Sequence, residues 1–262
     1  MAMFSPLPLS PSQKGRMSVE DLRRRLPSSL ADRGKIPVFS LGLPAVDDRL
    51  PLHGLSLHAV HEIHAAAPED LPAALGFLVA LMASMPDDGP IFIITSAQSL
   101  NSTGRLHGHG LNALGLDPGR ITLIEARNEM EAFWAIEETL RSGAAQIALG
   151  LIAQTFDLKK SQRLSLAARE SGRPLLLLRP PKSAVASAAE TRWRIAAAPA
   201  HRCSSGGLIA SRWRVVLERC RNGSTGEFVL EWYHASHRFG LAAALADPAL
   251  PDSAEFGRAH RA

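Results

Sequence analysis

The chain has 262 residues, 46% hydrophobic and 21% charged, with a net charge of +4, a balance that excludes a disordered chain and suits one α/β domain with appendages or two small domains. No apolar run approaches the roughly 20 residues that span a bilayer, and the start, Met1 to Leu9, has no basic region and is broken by Pro6 and Pro8, unlike a secretory signal. Two cysteines, Cys203 and Cys220, are too few for a disulfide framework, so free thiols, a cytoplasmic location and no membrane partner are expected.

In chain order, a Pro/Ser-rich start precedes SVEDLRRRL (18–26), where Ser18 and Asp21 make a capping-box pattern and Pro27 closes a short helix. Residues 57–63 are expected as a strand and 71–85 as an Ala/Leu-rich helix. PIFIIT (90–95) is a short apolar run of the kind a strand buried on both faces requires. The alternation repeats with a strand at 121–125 and a helix at 129–142, whose Met130, Phe133, Trp134 and Leu140 fall near helical spacing before Gly143. A strand at 147–152, a helix at 159–171 stopped by Gly172, and a strand at 175–178 ended by Pro180 and Pro181 follow.

Strands alternating with helices of this length imply a mostly parallel sheet covered on both faces. Beyond Pro181, residues 191–198, 213–219 and 227–232 read as strands with no helix between them. The last two flank Asn222-Gly223, a hairpin turn signal. The expected fold class is therefore α/β, a mostly parallel sheet flanked by helices with a small antiparallel C-terminal β extension. Its expected parts are a tail and short helix (1–36), the α/β core (37–200), the antiparallel hairpin extension (201–235) and a C-terminal helix and tail (236–262).

Several segments, in order, resemble one family: LHGLSLHAVHEI (52–63), GLDPGRITLIEA (115–126), FWAIEETLRSGA (133–144), FDLKKSQRLSLAARESGRPLLLLR (156–179), SAAETRWRIAAAP (187–199) and LEWYHASHRFGLAAALADP (230–248). Together they cover most of residues 40–250 and are similar to the ImuA family, a branch of the RecA superfamily. The resemblance implies a RecA-like core and an accessory role in SOS-induced translesion synthesis. It also implies an ImuB-type Y-family-like partner and an alternative, error-prone polymerase III α subunit, with RecA and single-stranded DNA as further candidate partners.

A RecA-like ATPase needs a glycine-rich loop after its first core strand, a lysine for the β- and γ-phosphates and a hydroxyl for Mg²⁺. Here that loop is HAAAPEDLPAALGF (64–77), with no glycine before Gly76 and no lysine between Lys35 and Lys159. Glu69 and Asp70 put negative charge where phosphates would lie, and Pro72 removes a first-turn donor. The next strand runs into Thr95-Ser96-Ala97-Gln98 where the superfamily carries a catalytic Glu, and Gly150 stands where an Asp would hold Mg²⁺. A degenerate P-loop, no ATP hydrolysis and no bound cofactor are expected.

No nucleophile elbow or metalloprotease helix is present, so no catalytic residue is assigned. His53, His58, His61 and His64 are close in sequence, but strand alternation puts His58 and His64 on one face and His61 on the other, against a shared metal site. Charge divides unevenly: Lys and Arg number 11 against 14 Asp and Glu through Glu131, then 18 against 11 beyond it. The basic half carries two R-W-R triplets, in which each Trp should face the core and the pairs Arg192/Arg194 and Arg212/Arg214 the other side. These arginines, with Lys182 in the small-residue loop before them, are candidate contacts for a phosphate backbone or an acidic partner. HRFGLAAALAD (237–247) is expected as a short helix whose His237, Arg238, Phe239, Leu241 and Leu245 form a further candidate contact. The expected function is a non-catalytic adaptor of error-prone translesion synthesis, and the alternative is an SOS cell-division inhibitor of the SulA type.

Overall fold

The computed structural model describes residues 37–85, 89–154, 157–179, 181 and 186–242. The expected tail and helix within 1–36, Lys182, Leu245 and the tail beyond it lie outside the described residues.

Two short strands, β1 (Val38–Phe39) and β2 (Leu55–Ser56), pair antiparallel around helix α1 (Pro44–Asp47). Then come β3 (Val60–Ala65), α2 (Leu71–Ser84), β4 (Ile91–Ser96), α3 (Ala97–Thr103), α4 (Gly108–Ala113), β5 (Ile121–Ala126), α5 (Glu129–Ser142), β6 (Ile147–Leu151), α6 (Leu158–Ser171) and β7 (Leu175–Arg179). Four strands close the described chain: β8 (Thr191–Arg202), β9 (Leu208–Cys220), β10 (Gly226–Tyr233) and β11 (Arg238–Leu241).

β3 to β11 form one nine-stranded sheet in the order β11-β10-β9-β8-β3-β7-β6-β4-β5. The strands from β8 to β5 in that order are parallel, and β9, β10 and β11 continue antiparallel from β8. The expected α/β class with a C-terminal antiparallel extension is what the chain adopts. Every residue of β6 and of β7 is buried, because helices cover both faces there. α2 packs on one face with Trp193, Trp213 and Trp232, and α5 and α6 pack on the other around Ile94, Ala148 and Leu177.

Local signals set the helix ends. Asn128 Oδ1 accepts from Glu131 N at the start of α5, and Asp157 Oδ1 accepts from Lys160 N at the start of α6, both at 2.9 Å. Each helix stops at a left-handed glycine, Gly143 (φ 63°) and Gly172 (φ 67°).

Three expectations are corrected. The first core strand starts at Val60 rather than at residue 57, because Leu55–Ser56 is used against Val38–Phe39 and a turn intervenes. Of the four apolar residues of α5 read as one stripe, Phe133 and Leu140 are buried, whereas Met130 and Trp134 point outward. The expected C-terminal helix is also absent from its start, since β11 runs antiparallel to β10, with Trp232 opposite Phe239. Gly240 is a poor helix former and packs under Tyr233, where an added Cβ would lie 2.6 Å from Cε2 of that ring. Phe239 joins Phe77, Trp213 and Trp232, its ring centroid 4.9 Å from that of Trp232. Burying that ring outweighs the helix propensity of the alanines after it.

β3 is buried throughout yet carries three polar residues, His61, Glu62 and His64. The Ser56 carbonyl accepts from His61 Nε2 at 2.8 Å, so Nδ1 accepts from the Thr191 hydroxyl at 2.8 Å, which in turn accepts from Trp193 Nε1 at 2.7 Å. Burial drives the pKa of His61 down to about 4, against the opposing bond to Ser56. The unfolded chain therefore takes up this proton first, and stability is lost as pH falls from about 6.5 towards 4, by on the order of 3 kcal/mol. Urea midpoints measured across that window should fall in the wild type and change less in His61→Gln.

Candidate functional site

In an open α/β sheet, ligands bind beyond the carboxyl ends of the strands where neighbouring connections leave for opposite faces. Two such places occur here, between β3 and β7 and between β4 and β6, because α2 after β3 and α4 after β4 pack on one face, whereas α6 after β6 packs on the other. The expected phosphate loop lies at the first. It is short: Ala66 and Ala67 lead into a 3₁₀ turn at Pro68–Asp70 and then into α2. Ala66 N donates to the Ile195 carbonyl at 2.8 Å, Asp70 N donates to Ala67 O at 3.0 Å, and Asp70 Oδ1 accepts from Ala197 N at 2.8 Å. The loop is thus laced to β8 through the Ala66 N–H, a donor that a phosphate cradle would aim at its ligand, and through the Asp70 carboxylate, which would repel one, and Pro68 and Pro72 contribute no donor.

At the second place, Ser96 caps α3 and donates to Glu129 Oε1, which also accepts from Ser99 Oγ at 3.0 Å and Ala153 N at 3.4 Å. In β6, a Cβ on Gly150 would lie 2.6 Å from Ile136 Cδ1 and 2.7 Å from Leu177 Cδ2. The space an Mg²⁺-binding carboxylate would need is filled by core side chains. Among the described residues, no group of three or more His, Cys, Asp and Glu is placed to hold a metal ion. His61 and His64 lie on opposite faces of β3, while His53 pairs with Asp48 at 3.0 Å outside the sheet.

The R-W-R triplets are placed as alternation requires. Trp193 and Trp213 are buried beside α2, and the four arginines lie on the opposite face. The parallel register sets Glu62 beside Arg192 and His64 beside Arg194. Glu62 is 1% exposed and holds two arginines, accepting from Arg179 Nη1 at 2.6 Å and from Arg192 Nη2 at 2.9 Å, with the Ser187 hydroxyl at 2.8 Å. Farther out, Arg194 Nε donates to Glu218 at 2.7 Å and His64 Nε2 lies 2.9 Å from the same carboxylate. Burial raises the Glu218 carboxyl, but the bonds from His64 and Arg194 outweigh it and hold the group below its usual range.

The pattern continues across β9 and β10. Arg212 Nε and Tyr233 Oη both donate to Glu231 at 2.5 Å, and these bonds outweigh burial to hold its carboxyl low. Arg214 faces Glu227 at 3.9 Å, both well exposed. Opposite charges alternating across strands make a ladder that stabilises this face.

No family model matches the chain. It is 34% identical over 244 residues to Protein ImuA of Caulobacter vibrioides, in strain NA1000 / CB15N and in strain ATCC 19089 / CIP 103742 / CB 15, covering 86% of this chain and 97% of that protein. The chain belongs to the ImuA family.

Within this ImuA-family fold the candidate contact residues separate into two groups. Arg192 and Arg212 are mostly buried against Glu62 and Glu231, and Phe239 is packed in the aromatic cluster. Arg194, Arg214, Arg238 and Leu241 remain at the surface, and His237 (φ 50°) stacks on Trp232 at 6.2 Å. The carboxylates that engage the arginines, Glu62, Glu218 and Glu231, were not singled out from the sequence. Glu231 sits between Leu230 and Trp232 in an apolar stretch of β10, which is a signal for a buried charge with a partner. The identity of that partner depends on strand register. Among the described residues, no helix is long and apolar enough to cross a membrane.

Proposed function

We propose that this ImuA-family chain is a non-catalytic, cytoplasmic adaptor of SOS-induced error-prone translesion synthesis, joining an ImuB-like Y-family-type protein to an error-prone polymerase III α subunit. The observation that carries the reading is the state of the strand ends. The loop after β3 gives Ala66 N to the Ile195 carbonyl and holds Ala197 N with the Asp70 carboxylate, and core side chains crowd Gly150 where a metal-binding carboxylate would stand. On this reading, a RecA-like sheet that has given up nucleotide chemistry keeps its surfaces as its useful part. Contacts with single-stranded DNA, RecA or an acidic partner would fall on Arg214 and Arg238, which stand exposed on the sheet face or its edge, on the half-buried Arg194 beside Glu218, and on Lys182. Arg192 and Arg212 would support that face through Glu62 and Glu231.

The test is reconstitution. Mixed with the ImuB-like protein and the α subunit of its own operon, the chain should elute with both in gel filtration. Calorimetry with MgATP should give no micromolar binding. Elution of the chain alone in the presence of both partners would overturn the adaptor reading, and filamentation on overexpression would move it to a division inhibitor. Micromolar MgATP binding would overturn the non-catalytic part.

A further inference from the structure

Single exposed apolar side chains are ordinary, but a concentration of them beside a cleft is not. Met130 (71% exposed) and Trp134 (63%) stand one helical turn apart on α5, and Leu158 (41%) starts the neighbouring α6. Between the two helices opens a cleft of about 250 Å³, reaching the carboxyl ends of β4 and β6. Phe133 and Ile152 form its apolar wall, the side-chain amides of Gln98, Asn128 and Gln154 its rim, and Lys160 one edge. Gln154 Nε2 donates to Gln98 Oε1 at 3.0 Å, so two of those amides already bridge from α3 to the end of β6.

The charges around the cleft are unevenly used. Of the carboxylates, Asp157 caps α6, Glu131 accepts from Arg127 N and Glu137 lies between Arg141 and Arg163, while Glu138, one turn beyond Trp134, is exposed and makes no ion pair among the described residues. Glu129 lines the cleft, but its Oε1 is bonded to Ser96, Ser99 and Ala153, and its Oε2 is shut off from solvent. By contrast, the side chains of Arg127, Lys159 and Lys160 make no ion pair among the described residues. Lys160 lies over the Phe133 ring, its Nζ 5.6 Å from the centroid, and so places positive charge at the mouth of an apolar slot.

We infer that the α5–α6 shoulder is a docking site for an acidic segment of a partner protein, with one large apolar side chain seated in the cleft and flanking carboxylates on Lys159, Lys160 and Arg127. A nucleic acid is the less favoured occupant. Its footprint is a basic stripe with several stacking platforms, whereas this site offers a side-chain-sized cleft, two aliphatic side chains, the single exposed ring of Trp134 and three cations. The inference adds to the adaptor reading a place where one of its partners would bind, yet it can succeed or fail separately.

Random dodecapeptides displayed on phage and selected on the full chain should converge on acidic sequences with a Trp, Phe or Leu anchor. Binding of a selected peptide, read by fluorescence polarisation, should weaken with salt. It should fall about tenfold or more in Trp134→Ala and in the pair Lys159→Glu with Lys160→Glu, while Leu208→Ala, an exposed apolar residue in another element, leaves it unchanged. Unaltered melting temperatures would show that these surface variants still fold. Selection of sequences without acidic residues, or affinity indifferent to the α5 and α6 variants, overturns the inference. So does loss of oligothymidylate binding in the same variants with no peptide selected. An intact three-protein complex accompanying any of those results would leave the adaptor reading standing.

Discussion

Glu62→Ala is expected to destabilise the protein by about 3–5 kcal/mol, the usual cost of removing one partner from a buried ion pair. Glu62 and Arg179 are each at most 2% exposed and sit on adjacent central strands, β3 and β7, joined at 2.6 Å. Without the carboxylate, the Arg179 charge stays in a region that water does not reach, and Arg192 loses its bidentate partner. Urea denaturation gives the size of the loss. A second variant separates charge from packing: Glu62→Leu combined with Arg179→Met and Arg192→Met should recover most of the stability, because the desolvation cost of the whole triad disappears together. A single-variant loss under about 1 kcal/mol would mean that the pair is compensated elsewhere. In that case the charged face would not depend on its innermost carboxylate.

Ending the chain before His237 should give an unfolded or aggregating product, whereas ending it after Ala242 should leave a cooperative fold. The shorter chain loses β11, which pairs with β10 over four residue positions and brings Phe239 against Trp232, Phe77 and Trp213. Trp232, fully buried in the intact chain, would lie on an uncovered sheet edge, which invites association between chains. Phe239→Ala isolates the ring from the strand and should cost roughly 2–4 kcal/mol, read as a lowered melting temperature. A stable, monomeric chain ending before His237 would show that the aromatic cluster closes without its fourth ring. Partner-binding tests of the C-terminus therefore belong on chains cut after Ala242, where a loss of binding is not confounded by unfolding.

The sequence by itself determined which segments are strands and helices in the core and that the sheet is parallel there. Runs such as IFIIT, IALGL and LLLL have no polar face to offer water, and capped helices of fourteen residues separate them. It also determined that Trp193 and Trp213 face inward, since alternation is local and each triplet carries its own period. The absence of a glycine-rich, lysine-bearing stretch after β3 was equally plain, because such a stretch would be a contiguous motif. Three things were decided only by tertiary structure. The neighbours of β3 are β7 and β8, more than a hundred residues away in the chain, so only their register joins Glu62 to Arg179 and Arg192 and turns an apparently free basic face into a ladder of pairs. The segment after Ser236 became a strand because an aromatic cluster assembled from three other elements accepts Phe239. Helix propensity, worth tenths of a kcal/mol per residue, cannot compete with burying a ring. The outward Met130 and Trp134 follow from where α6 lies against α5. An apolar period shows that a helix has a buried face, but the width of that face is set by what packs on it.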